Sequence, residues 1–250
     1  MYKLAHLFSV TVIYVFIAAS ELSYAEEIDV GFEPFPPIIN EDGSGLMFDM
    51  LNTLSVGTNL HFKFHIMTYA RAKKDLANKR LKLIGMTPYQ LETQDFYQYG
   101  AELNWHIDTH VDFFSLHKDY FNIAQLPDRS IGTLVGNAAF FSAVINVPVN
   151  KFVEVSSLKQ LVRMLAFGRL KVILFERVST MSTIKAQQIE NIYYKKMGMV
   201  PASLAVSNTK EGLMLKAQLD NLLANAENKE FFSGFINYAA MSDSGKVIIE

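Results

Sequence analysis

The chain has 250 residues, half of them hydrophobic and 19% charged, with 23 basic side chains set against 25 acidic ones. That composition supplies packed cores and excludes a disordered chain, while the interspersed charges provide no basic field to hold nucleic acid phosphates. With no cysteine, disulfides, zinc–thiolate sites, cysteine nucleophiles and a lipid-modified N-terminal cysteine are excluded as well.

In chain order, Lys3 gives a short basic start and Leu7 to Ala19 is apolar apart from Ser9 and Thr11. The small residues Ser23 and Ala25 suit a signal peptidase, so residues 1–25 are expected to be a signal peptide that sends the protein to the periplasm. The apolar run falls short of the roughly 20 residues of a membrane helix, which leaves an uncleaved anchor as the weaker alternative. The mature chain is expected to be freely soluble and monomeric.

Ile28 to Phe32 predicts a strand that runs into Glu33, Pro34, Phe35, Pro36 and Pro37, where the chain must leave a sheet. Leu46 to Leu54 has helical spacing, Leu60 to Met67 alternates as a half-buried strand does, Tyr69 to Ala77 predicts a helix, and Leu81 to Met86 a buried strand ending at Thr87-Pro88. Strand and helix go on alternating, which defines an α/β fold with largely parallel sheets flanked by helices. The stretch from Leu76 to Ile84 recurs as Leu165 to Ile173, each copy a helix end, a tight turn and a strand. This is either chance likeness between two helix-to-strand connections or the mark of two lobes of like construction. Two extended segments, His110 to Leu116 and Ser203 to Ser207, are the candidate crossings. They divide the chain into lobe one, residues 26–112 plus 208–250, and lobe two, residues 113–207, with a ligand cleft between them.

These features, in this order, resemble the type 2 periplasmic binding proteins, in particular the extracellular solute-binding proteins of polar amino-acid transporters. The residues that carry the resemblance are the first strand with its aromatic and proline loop; Gly45, Leu46, Phe48 and Asp49; Gly85, Met86, Thr87 and Pro88 with Asp95 and Phe96; and Ile131, Gly132, Thr133, Leu134 and Gly136. The resemblance implies two lobes joined by two crossing strands, ligand-driven closure about that hinge, and delivery of the solute to an ABC transporter permease or a membrane sensor. The chain departs from the pattern in two places. An arginine that grips a ligand α-carboxylate is replaced by Gln90, and the acidic residue that holds an α-amino group is either Glu176 or absent.

Candidate ligand contacts follow. Phe35 stacks at the cleft mouth or packs on lobe one. Tyr69 and Arg71 open a helix, and Arg71 is either a replacement carboxylate clamp or a solvated charge beside Lys73 and Lys74. Thr87 and Gln90 follow the C-terminal end of a buried strand, where open α/β sheets place ligands. Trp105 forms a stacking wall or belongs to the core. Gly132, Thr133 and Asn137 stand where a lobe-two strand meets a helix whose first N–H groups attract anions. His106, Asp108 and His110 recur at every second position, a possible metal face, though more often such a row is the wet side of a strand; no metal and no cofactor is assigned.

The leading reading is a non-enzymatic receptor for a small polar solute, amino-acid-like or carboxylate. A dehydratase-like enzyme on the same fold would need a tuned cleft acid or base, for which Glu33, Glu176 or a histidine is available. The third reading is an orphan lobe pair that binds a protein, its cleft filled by its own side chains.

Overall fold

The computed structural model describes residues 26–225 and 240–249. The expected signal peptide, residues 1–25, lies outside the described residues, as do residues 226–239. Among the described residues no helix is long and apolar enough to cross a membrane.

Two parallel three-stranded sets face each other across a pair of long strands. In the first set β1 (Glu26–Phe32) lies between β2 (Leu60–Ile66) and β3 (Leu83–Pro88), both parallel to it. Helices α1 (Leu46–Ser55) and α2 (Tyr69–Ala77) make the two crossovers. The second set repeats the plan. There β5 (Ile131–Leu134) lies between β6 (Phe152–Val155) and β7 (Val172–Glu176), again parallel, with α4 (Ala138–Ile145) and α5 (Leu158–Ala166) as crossovers and α6 (Arg177–Ala186) following. A short helix, α3 (Phe96–Tyr99), leads into the first long strand.

The long strands are β4 (Gly100–Ser115) and β8 (Tyr193–Ser207), antiparallel to each other. The C-terminal end of β8 pairs with β3, and that of β4 pairs with β7, so the strand order runs β2-β1-β3-β8-β4-β7-β5-β6. Their mutual register shifts twice, between Glu102 and His106 and between Val111 and Asp112. Helix α7 (Lys210–Asn225) packs on both long strands. The last described strand, β9 (Ser244–Lys246), pairs with Tyr193–Lys195 of β8, close to the second set. The sequence reading had placed the whole C-terminal stretch with lobe one, so residues 240–249 depart from it.

The sequence repeat has a structural counterpart, bond for bond. Each helix ends with an amide reaching back four residues, Asn78 N to Lys74 O and Phe167 N to Arg163 O, both 3.0 Å. A left-handed residue follows in each copy, Lys79 at φ 60° and Gly168 at φ 69°. Next, Arg80 N donates to Asp75 O and Arg169 N to Met164 O, both at 2.8 Å. The chain then enters β3 or β7. Glycine adopts that conformation without steric penalty whereas lysine does not, so the two turns have equal geometry and unequal strain.

The packing explains the periodicities. On α2, Tyr69, Ala72 and Leu76 are buried and Thr68 caps the helix by accepting from Arg71 N. On α5, Leu158, Leu161, Val162 and Leu165 are buried and Ser157 accepts from Gln160 N. All five residues of β7 are buried, as expected for a strand covered on both faces. One apolar cluster runs from Ile28 and Phe32 in the first set to Ile173 and Phe175 in the second.

Candidate functional site

The two sets meet through the ends of their strands. β1 ends in Phe32 and delivers Glu33 and Phe35, both buried, to the seam. From the other side comes Phe175 of β7, its ring centroid 6.1 Å from that of Phe35 at an interplanar angle of 63°. This edge-on contact closes the apolar part of the seam, within the favourable range for aromatic pairs.

Beside it lies a polar cluster. The Glu33 carboxyl accepts from the Tyr69 amide at 3.1 Å, in the first turn of α2, and stands beside Asn137, the residue that precedes α4, whose side-chain amide donates to Leu134 O at 3.3 Å. Burial pushes Glu33 up to about 8; the Tyr69 amide, the Asn137 side chain and the nearby Lys73 oppose that shift, and Glu154 adds to it. The group is therefore a neutral acid at pH 7. Around it, the Tyr69 hydroxyl donates to Glu92, whose carboxylate also holds Lys73 Nζ at 3.3 and 3.4 Å. Lys73 lies 4.5 Å above the Tyr69 ring. Burial and the neighbouring Glu92 raise the Tyr69 phenol well above its ordinary value, so it stays protonated.

The seam is tight at one backbone position. Gly136 has φ 97°, and a Cβ there would stand 3.0 Å from Ala70 Cβ and 3.2 Å from Ala70 N. Only glycine allows this approach of the α4 entry loop to α2.

Of the nine predicted contacts, the structure brings Phe35, Tyr69 and Asn137 together at the seam. Arg71 is placed elsewhere. Its guanidinium side chain is 70% exposed and pairs with Asp75 one turn on, at 3.4 Å. Two residues from Tyr69, it cannot share that residue's helix face, which favours the solvated-charge reading. The Thr87 hydroxyl is buried and donates to Ser203 O at 3.2 Å within the sheet. Gln90 is exposed in a turn at φ 59°, its amide donating to Glu102 Oε2 at 2.9 Å. Trp105 is half-buried against the core, and its carbonyl accepts from the Ser203 hydroxyl at 2.5 Å. Thr133 is fully buried, and its hydroxyl has no hydrogen-bond partner.

Two expectations need correction. The N–H groups entering α4 do not await an anion: Glu154 Oε1 already accepts from Gly136 N at 2.9 Å and Ala138 N at 2.8 Å. Nor is Glu176 free to hold an amine. It caps α6, accepting from Val178 N at 2.9 Å and from the amide and hydroxyl of Ser179 at 2.7 Å each. Burial raises it to about 7 against those three donors. The sequence reading missed Glu154 and Phe175 as seam residues and treated Glu33 only as a possible catalytic acid. Glu33 carried a signal, a carboxyl one residue beyond an apolar strand end; Glu154 carried none.

Four sizeable cavities among the described residues contain none of the nine predicted contacts. One of them, about 480 Å³, lies on the outer side of the seam between Pro34, Pro36 and Pro37 and residues of α5 and α6 such as Lys159 and Thr183. A Lys159–Glu41 ion pair of 2.5 Å spans it. Along β4, His106 stacks on Tyr89 at 4.5 Å, while Asp112 is bound to Arg177 at 2.6 and 3.0 Å with both side chains fully buried. Among the described residues no three histidine or acidic side chains gather as a metal site.

Mirrored parallel sets joined by two long antiparallel strands define the two-lobed fold of the type 2 periplasmic binding proteins. Solved structures agree. A histidine kinase sensor domain with similarity to periplasmic binding proteins matches at TM-score 0.70 and 13% identity, covering 88% of this chain and 99% of that one. An ABC uptake transporter substrate-binding protein from Streptococcus pneumoniae with bound histidine matches at TM-score 0.67 and 17% identity, over 88% and 95%. A mutant of the T. maritima ArgBP matches at TM-score 0.67 and 16% identity, over 86% and 96%. No family model matches the sequence, and no curated protein matches it either. The likeness establishes the fold, in which these neighbours are binding proteins and a sensor domain.

Proposed function

We propose that the chain is an exported receptor that captures a small polar solute, amino-acid-like or carboxylate, by closing two lobes, and presents it to a transporter permease or a membrane sensor. The lobes are residues 26–112 with 208–225, and residues 113–207 with the returning strand at 240–249; residues 1–25 are the export signal. The observation that carries this reading is the pair of long strands, β4 and β8, which link two otherwise separate parallel sets and shift register on the way. Such a link bends without breaking either core. At the seam, the Tyr69 amide donates to a carboxyl group, and Asn137 stands beside that group from the other lobe, so donors suited to a carboxylate solute lie on both sides.

The structurally similar chains that are binding proteins favour binding rather than catalysis. The orphan-module reading is favoured by one observation, the filling of the seam by Phe35, Phe175 and Glu33. A thermal-shift screen of amino acids, short carboxylates, amines and peptides tests the receptor. A solute at a hundredfold excess over its Kd raises apparent stability by about 2.7 kcal/mol. Arg71→Ala is expected to leave that shift intact. The absence of any stabilising solute would favour the orphan module instead.

A further inference from the structure

Phe35, Phe175 and Glu33 fill the seam, and open space bordered by both lobes lies just outside it. The cavity of about 480 Å³ takes one wall from the proline loop and the turn that carries Glu41, in the first lobe, and the other from the start of α5 and the end of α6, in the second. We propose that this cavity is the solute site and that it takes a primary ammonium ion with an apolar body, whose head replaces Lys159 Nζ on the Glu41 carboxylate. This rests on the receptor reading above and narrows it, selecting solutes that carry an ammonium group and moving their site off the strand ends.

Glu41 is presented by a stapled turn. Asn40 N donates to Ser44 O at 2.8 Å and Gly43 N to Asn40 O at 3.2 Å, while the neighbouring Asp42 carboxylate is occupied by the amide and hydroxyl of Ser44 at 3.0 and 2.6 Å. Glu41 is thus the carboxylate left to face the second lobe, where it meets Lys159 Nζ at 2.5 Å. Lys159 stands in the first turn of α5, the end of a helix that disfavours a cation, so Glu41 is what draws its ammonium there. With Lys159 58% and Glu41 45% exposed, such a pair contributes little and opens readily.

Behind the ion pair the cavity is mostly carbon. Pro34, Pro36, Pro37 and Leu158 offer surface against which a chain or ring sheds water, and the Thr183 hydroxyl is engaged with Ser179 O at 2.8 Å within α6. Ser182, Thr183 and Ala186 belong to the last turns of α6, the negative end of the helix dipole. That end, with Glu41 and Asp42 on the opposite wall, favours a cation over an anion. Among the described residues lining the cavity Lys159 is the single cation, and its flexible stem can swing away. An alkylammonium tethered at the opening thus marks the chemistry of the free ligand. Because the lining comes from both lobes, a ligand held there draws them together.

Isothermal titration calorimetry with phenethylamine, and with hydrocinnamate, which carries a carboxylate in place of the ammonium, tests this at pH 7, where the amine is protonated. Saturable binding of the amine alone is expected. Glu41→Gln, in an exposed turn, should weaken it by about tenfold, as the loss of a charged hydrogen-bond partner does. Lys159→Met removes the competing ammonium and should tighten it by about threefold. Ser182→Trp, which fills the cavity from α6 and leaves both charges in place, should abolish it. An amine that binds neither the wild type nor Lys159→Met, equal binding of hydrocinnamate, or indifference to Glu41→Gln would overturn the site. Small-angle scattering separates the site from the receptor reading, since the radius of gyration should fall as the amine saturates. A fall with another solute, unaltered by Glu41→Gln, keeps the receptor and removes the ammonium site; binding of the amine at Glu41 with no fall keeps the site and removes lobe closure.

Discussion

Single side chains in this protein matter through what burial does to charge. Arg177 and Asp112 form a fully buried, two-bond ion pair, and removing one partner of such a pair costs about 3–5 kcal/mol, because the other charge is left without compensation. Arg177→Ala should therefore lower the urea midpoint strongly, while a double replacement by apolar residues should recover much of the loss. Glu33 and Glu176 are raised to about 8 and about 7 from 4.5, so the native state keeps protons that the unfolded chain releases. Stability must then fall from pH 4.5 to 7 through both groups and from 7 to 8 through Glu33 alone. Glu33→Gln should flatten that last interval, as measured by denaturant titration across the pH series. The sequence marked Glu33 and Glu176 as candidate tuned acids but not what surrounds them, since Glu33 and its donor Tyr69 lie far apart in the chain. Composition marks which groups can titrate, and only the fold decides which of them lose water.

At the scale of the element the sequence was far more informative. The span of α2 is the one its periodicity predicts, since Tyr69, Ala72 and Leu76 need one covered face and Thr68 caps the start. The long strands were recognised only at their apolar ends. Residues 103–108 of β4 do alternate, with Leu103, Trp105 and Ile107 covered and Asn104, His106 and Asp108 exposed, a period-two strand signal that was read only for its polar face. The twin turns at Lys79 and Gly168 allow a direct comparison. Nothing lies within 4 Å of a Cβ built on Gly168, so Gly168→Ala tests backbone conformation alone and should destabilise by about 1–2 kcal/mol. Lys79→Gly should do the reverse by less, because glycine also loosens the unfolded chain; calorimetric melting of both variants checks the pair.

For the molecule as a whole, the repeat in the sequence corresponds to a repeat in space, since the same bonds close both helix-to-strand turns. The organisation into two lobes was legible because each lobe must be built from local crossovers, and those leave periodic traces. The seam was not, because it joins loops whose proximity follows from how the lobes face each other. Phe35, Tyr69 and Asn137 meet at the seam while Arg71 and Gln90 are exposed away from it: a family pattern transfers positions in the chain, whereas exposure depends on each protein's own neighbours. Hydrogen exchange should accordingly be slow in the paired strand cores and faster across Glu33 to Ile39 and Gly136 to Ala138 in Gly136→Val, with the cores unchanged; uniform acceleration would mean that the lobes do not move as units.

The two register shifts in the linking strands bound a regular stretch from His106 to Val111, a stave roughly 16 Å long at the usual rise per residue. For the receptor proposed above, two separated shifts place the bending of the linking strands at both ends of that stave, as in a drawing-board parallelogram, where a door would have a single pivot.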